Sequence, residues 1–111
     1  MYMQNTCSAH GPFFPSYQGE RCPLCVQREV EEMLRYFEHW LHQGMYEQAD
    51  ERLKFLLVDT VAPAALLAAL TITHHEKHKF KHREAFLARV EAHLIKTLGA
   101  ERAESLLRNR R

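Results

Sequence analysis

Beyond residue 25 this chain of 111 residues has no cysteine, and up to it only three: Cys7, Cys22 and Cys25. An odd number of thiols confined to one segment is a poor basis for a disulfide framework, and points instead to metal ligation in a reducing cytoplasm. Glycine is scarce, at four residues, and none of the phosphate-cradling or nucleophile-presenting patterns G-x4-G-K-[ST], G-x-G-x-x-G or G-x-S-x-G occurs. The longest apolar run, Val61 to Ile72, is broken by Pro63 and Thr71 and falls short of the roughly 20 residues a membrane-spanning helix needs. No basic region followed by an apolar stretch opens the sequence, so no secretion signal is expected. Net charge is also small, with 15 Lys and Arg against 14 Asp and Glu, while the charged share of 26% is ordinary for a globular protein. That balance hides an asymmetry: residues 1–60 carry −4 and residues 61–111 carry +5. The two halves attract each other, and the excess can serve helix contacts or a basic face for a partner.

What is present is concentrated near the start. Cys7, His10, Cys22 and Cys25 form the pattern C-x2-H-x11-C-x2-C. Each pair places two donors on one short turn, and the spacer lets the turns face each other, as a tetrahedral zinc ion requires. Four protein ligands leave no open position for water, so the spacing predicts one structural Zn2+ that does no chemistry. Past the patternless first six residues, the first 25 offer only four large apolar side chains, Phe13, Phe14, Tyr17 and Leu24. Too few are there to offset the entropy of ordering the segment, so the metal and docking onto a helix must supply the rest.

Along the chain, residues 1–6 carry no pattern. Cys7 to Gly11 reads as a zinc knuckle, with Gly11 free to take a positive φ. Pro12 to Gly19 is broken by proline and can hold at most a short irregular hairpin. The pair Cys22 and Cys25 then leads into a first helix from about Val26 to His42, whose Val26, Val30, Met33, Leu34, Phe37 and Leu41 make one apolar stripe ending at Gly44. A second helix is expected from about Tyr46 to Val58, with Tyr46, Ala49, Leu53, Leu56 and Leu57 inward. Pro63 suits the first position of a third helix, Ala64 to about Thr73, apolar nearly all round and the best candidate for a central element. Thr73 to Arg83 reads as a loop or frayed helix end. A fourth helix spans about Arg83 to Leu98 with Phe86, Leu87, Val90 and Leu94, and a fifth Ala100 to about Arg108 with Ala103, Leu106 and Leu107. The expected fold is mainly α, a small treble-clef-like zinc finger over residues 1–25 followed by a bundle of four to five helices over 26–111, packed as one unit.

Three further groups are candidates for contact. His74, His78 and His82, spaced i, i+4 and i+8, would share a helix face, yet the H-E-x-x-H motif is absent and interleaved lysines would repel a cation. A solvated basic turn is the plainer reading, with a pH-sensitive or phosphate-contacting patch as the functional one. Lys77, Lys79, Lys81 and Arg83 around Phe80, with Arg108, Arg110 and Arg111, could contact phosphates, although a net charge of +1 is small for a dedicated nucleic-acid binder. Tyr36 and Trp40 lie beside the main stripe, where they either widen the buried face or form an aromatic patch for a partner. Glu31 and Glu32, adjacent on a helix, diverge and cannot act as a catalytic pair. With the cysteines committed to metal, no catalytic activity is expected, and the sequence predicts an interaction or regulatory module with a protein partner. A homodimer is compatible with it, and the alternative is a nucleic-acid-binding regulator using residues 77–83 and the basic C-terminus.

The string Cys7-x2-His10-Gly11-x-Phe13, then Cys22-Pro23-x-Cys25 and a glutamate-containing helix, resembles the zinc-binding heads of phage and prophage replication proteins of the DnaC-like helicase-loader group. The resemblance covers about residues 7–30. It implies the same four ligands and a bacterial mobile-element setting. In that family the head precedes an ATPase domain with a P-loop, which this chain lacks, so loader activity is not implied.

Overall fold

Pro63 starts the helix around which the others are arranged. Proline has no N–H to leave unpaired in a first turn and its φ is already helical, and Pro63 indeed opens α3, Pro63–Ile72. In the computed structural model, which describes residues 4–15 and 19–111, Ala65, Leu66, Leu67, Ala69 and Leu70 of α3 are all buried. A helix apolar on every side can be satisfied only by neighbours on several sides. Its main neighbours are α1, Pro23–His42, and α4, Arg83–Leu98; α2, Tyr46–Phe55, packs in turn on α1 and α4, and α5, Ala100–Leu107, on α4, and all five share one apolar core. The last two helices meet at Gly99, whose φ of +94° glycine adopts without strain. Helix α1 lays Met33 and Phe37 on α3, with Val30 and Leu41 at the margin. From α4 come Phe86, Val90 and Leu94, and from α5 Ala103 and Leu107. An antiparallel hairpin, β1, Asn5–Cys7, and β2, Gly11–Phe13, precedes the helices. The mainly helical bundle with a small Cys/His hairpin at its head is therefore the architecture the sequence predicts.

Several boundaries differ, each for an identifiable reason. Helix α1 begins at Pro23 rather than Val26, because Cys22 takes an extended ψ of 127° as the cap and proline fills the first position. The hairpin lies at the knuckle itself and draws in Asn5 and Thr6; of the stretch expected to hold an irregular hairpin, residues 16–18 lie outside the described residues. Helix α2 stops at Phe55, three residues short. There Arg89 of α4 donates to the carbonyls of Leu53 at 2.8 Å and of Lys54 and Leu56 at 3.3 Å, so the chain turns extended at Leu56. Leu56 is buried as expected, but Leu57 is thrown outward and is 67% exposed.

The same pattern recurs at other helix ends. No helix among the described residues carries a hydrogen-bonded side-chain cap of its own at its N-terminus. Instead Glu29 of α1 accepts the Ala62 N–H at the start of α3, 3.0 Å away, and Asp50 of α2 accepts the His82 N–H at the start of α4, 2.9 Å away. At the other end of α3, Arg83 is buried and donates to the Thr73 hydroxyl and to the carbonyls of Leu70 and Arg110 at 2.6–2.9 Å. Burial pulls its pKa down from the ordinary guanidinium value. Anions at helix N-termini and cations at C-termini are the pairing the helix dipole favours.

Arg83→Ala removes a buried donor that ties Thr73, Leu70 and Arg110 together and leaves a cavity at the end of α3, where the Thr73 hydroxyl keeps only its own bonds to the Ala69 and Leu70 carbonyls. The expected loss is about 3 kcal/mol of stability in urea unfolding, against under about 0.5 kcal/mol for the exposed Arg102→Ala.

Candidate metal centre

Two local structures bring the four donors together. On the first, Cys7 ends β1 opposite Gly11, with Ser8, Ala9 and His10 forming the turn between them. Gly11 has φ +87°, a left-handed conformation that lets a three-residue turn rejoin the ladder. On the second, Cys22 caps α1 and Cys25 sits in its first turn, where Val26 N–H closes the first helical bond onto the Cys22 carbonyl at 3.0 Å. Residues three apart across a first turn point the same way, so both thiols face the knuckle.

The donor atoms of Cys7, His10, Cys22 and Cys25 all lie within 4.8 Å of one another. His10 presents Nδ1, which is 3.3 Å from the sulfur of Cys25 and 3.6 Å from those of Cys7 and Cys22; Cys7 and Cys25 are 3.5 Å apart. A tetrahedral ion bonded at about 2.3 Å to sulfur and about 2.0–2.1 Å to nitrogen sets donor-to-donor edges of about 3.6–3.8 Å. These separations match such edges closely, and 3.5 Å is far beyond a disulfide bond length. The cysteines are free thiols. The cluster could therefore bind one metal ion.

Its electrostatics suit a cation. Backbone N–H groups of Ala9 and His10 and the His10 side chain hydrogen-bond the Cys7 sulfur, and they lower its pKa to about 6, the Ala9 N–H most strongly. The hydrogen bond that the Cys25 thiol donates to the Cys7 sulfur raises Cys25 to about 11, with burial, a bond to Cys22 and the negative charge of Cys7 and Cys22 adding to it. Three sulfurs this close cannot all ionise without a positive charge between them. A divalent ion would supply that charge, and the positive end of α1 adds to it.

Among the described residues, which leave out Tyr17, apolar packing contributes little to the head. Phe14 is 69% exposed, Leu24 53%, and Phe13 is only half-buried. A polar clasp joins the head to the bundle: Arg21, directly before Cys22, pairs with Glu29 at 2.6 Å and reaches the Thr60 carbonyl at 3.5 Å, while Glu29 also accepts the Ala62 N–H. Sequence reasoning did not single out Arg21 or Glu29. Their only signal is a charge pair straddling the helix start.

The other candidate residues are dispersed. Phe80, taken with the lysines as a basic-aromatic patch, is buried in the core at 5% exposure. Arg83 is inside the bundle. Arg110 donates to the Thr71 hydroxyl at 2.8 Å and to the Leu106 carbonyl, and Arg111 pairs with Glu91 and Glu104, each at 2.7 Å. Lys77 donates to the Arg111 carbonyl, and Lys79 lies 4.4 Å from the centre of the Tyr46 ring and 3.7 Å from Glu76. The Tyr46 hydroxyl donates to Glu76, which holds that carboxyl below its ordinary pKa. Lys81 and Arg108 are exposed. His74, His78 and His82 share no helix face, because α3 ends at Ile72 and the chain passes through a short 3-10 turn at Lys77–Lys79. His82 instead lies 3.5 Å from Asp50. Tyr36 is 56% exposed and stacks at 6.0 Å on Trp40, which is half-buried and packs edge-on against Phe37.

Among the described residues no helix is long and apolar enough to cross a membrane. Compared with known proteins, the chain matches no family model, no curated protein and no solved structure. The likeness to helicase-loader heads thus stands on the motif in residues 7–30 alone.

Cys22→Ser and His10→Ala each remove one donor of four. Both are expected to weaken binding of zinc or cobalt(II) at least a hundredfold in competition with a coloured chelator, whereas Ser8→Ala leaves it unchanged. Equal affinity in all four proteins would place the metal elsewhere.

Proposed function

We propose that the chain is a non-catalytic protein-interaction module whose N-terminal head is held together by one structural Zn2+. The observation that carries this reading is the complete donor set: three thiols and one imidazole converge at tetrahedral spacing on the first turn of α1. Zinc favours this combination of sulfur and nitrogen over harder ions such as Ca2+ or Mg2+. With four protein ligands the ion has no vacant position for a substrate or a reactive water, so its contribution is to folding.

The surface around the site supports the interaction part. Phe14 and Leu24 are exposed on a head with little core, and Tyr36 is exposed further along the same helix. Apolar side chains held outward on a rigid scaffold are the usual anchors of a protein contact. The zinc ion would serve that contact indirectly, by fixing the hairpin and the first turn of α1 that display Phe14 and Leu24.

The test joins metal and partner. Protein purified without chelators should carry about one zinc per chain. Its removal should abolish amide-exchange protection in the hairpin and at the start of α1 while α3, α4 and α5 stay protected. A protein partner that copurifies with the zinc-loaded chain should be lost in Cys22→Ser and in the doubly substituted Phe14→Ser, Leu24→Ser protein, the latter still folded and metal-loaded. A metal-free native protein, or a partner retained by all the variants, would contradict the proposal.

A further inference from the structure

The outward face of α1 has a pattern that its packing does not use. Its inner face, through Met33 and Phe37, lies on the bundle. On the opposite side Leu24, Arg28, Glu32 and Tyr36 follow one another at intervals of four, which on a helix is a continuous ridge inclined to the axis. It spans about 18 Å at 1.5 Å per residue. All four are exposed: Leu24 53%, Tyr36 56%, and the side chains of Arg28 and Glu32 79% and 53%. Alongside it runs a shallow groove of about 360 Å³ that His10 of the head closes at one end.

The order along this ridge is apolar, positive, negative, apolar. Reversed and laid against itself, such a ridge is complementary at every step: Leu24 meets Tyr36, and Arg28 meets Glu32. A two-fold axis through the level of residue 30 produces each contact twice, as a closed dimer requires. Packing i, i+4 ridges of two helices together is the commonest helix crossing in globular proteins, at about −50°. We infer that α1 pairs antiparallel with α1 of a second copy of this chain through Leu24, Arg28, Glu32 and Tyr36.

Two features favour this occupant over an unrelated partner. Arg28 and Glu32 already stand 3.7 Å apart on one helix, so both charges are in place to exchange partners across the axis without moving the backbone. The Tyr36 ring is held by its stack on Trp40, which lowers the entropy lost when it is covered. The other exposed apolar pair, Phe55 and Leu57, lies at the end of α2 with no such alternation of charge. The inference deepens the interaction-module reading by naming its partner. It also ties that partner to the metal, since Leu24 sits between two ligands.

Sedimentation across a wide concentration range tests it, with the zinc-loaded full chain. The wild type should dimerise, more weakly as salt rises. Arg28→Glu makes the ridge wholly acidic and Glu32→Arg makes it wholly basic, so each variant alone should dissociate at least roughly tenfold more readily. Mixing the two variants places an acidic ridge on a basic one and should restore a dimer containing one of each. The double variant R28E/E32R should dimerise with itself. Both positions are on the surface, so circular dichroism and metal content should match wild type. A zinc-loaded wild type that stays monomeric at every concentration overturns the pairing and leaves the module reading intact. A dimer indifferent to either reversal, or variants that fail to restore each other, overturns it as well.

Discussion

The rest of the head depends on the meeting of three sulfurs and one imidazole at the first turn of α1. The hairpin has strands of only three residues, its phenylalanines are exposed or half-exposed, and the charged clasp between Arg21 and Glu29 lies outside it, beside Cys22. Two-stranded ribbons of this size do not hold themselves in water. In the proposed reading, what fixes the hairpin against the helix is the requirement that the four donors share one ion. The same requirement sets where α1 starts, because the residue that caps the helix and one in its first turn are both ligands.

Behind the head, a second constraint organises the helices. Their ends are capped by side chains from other helices: Glu29 reaches the start of α3, Asp50 the start of α4, Arg89 the end of α2 and Arg83 the end of α3. Each is an anion at a positive helix end or a cation at a negative one. The charge asymmetry between the two halves of the chain is spent partly in this way, as Glu29 and Asp50 from the first half bind the second and Arg89 from the second binds the first, while Arg83 acts within the second. Charges that looked available for nucleic acid are engaged by the same logic, for Arg83, Arg110 and Arg111 close the C-terminal segment onto the bundle.

This division explains what could be read from the residues. The ligand set, the central α3 and the span Arg83–Leu98 of α4 follow from local signals: donor spacing, an apolar run after proline, and a glycine stop. The early end of α2 does not, because it is imposed by Arg89 from 36 residues away in the chain. Nor was Leu57 legible as an exposed residue, since helical periodicity continues inward past the point where the helix has ended. The three histidines looked alignable only if α3 continued beyond Ile72. The hairpin was shifted because strands of three residues are too short to show alternation, and proline at position 12, here on an edge strand, reads as a breaker.

The whole account turns on whether one ion joins hairpin and helix. X-ray absorption at the zinc edge of the natively purified protein measures that directly. The account predicts three sulfur neighbours at about 2.3 Å and one nitrogen at about 2.0–2.1 Å, with no bound water. A shell made of oxygen and nitrogen, or fewer than three sulfurs, would contradict it.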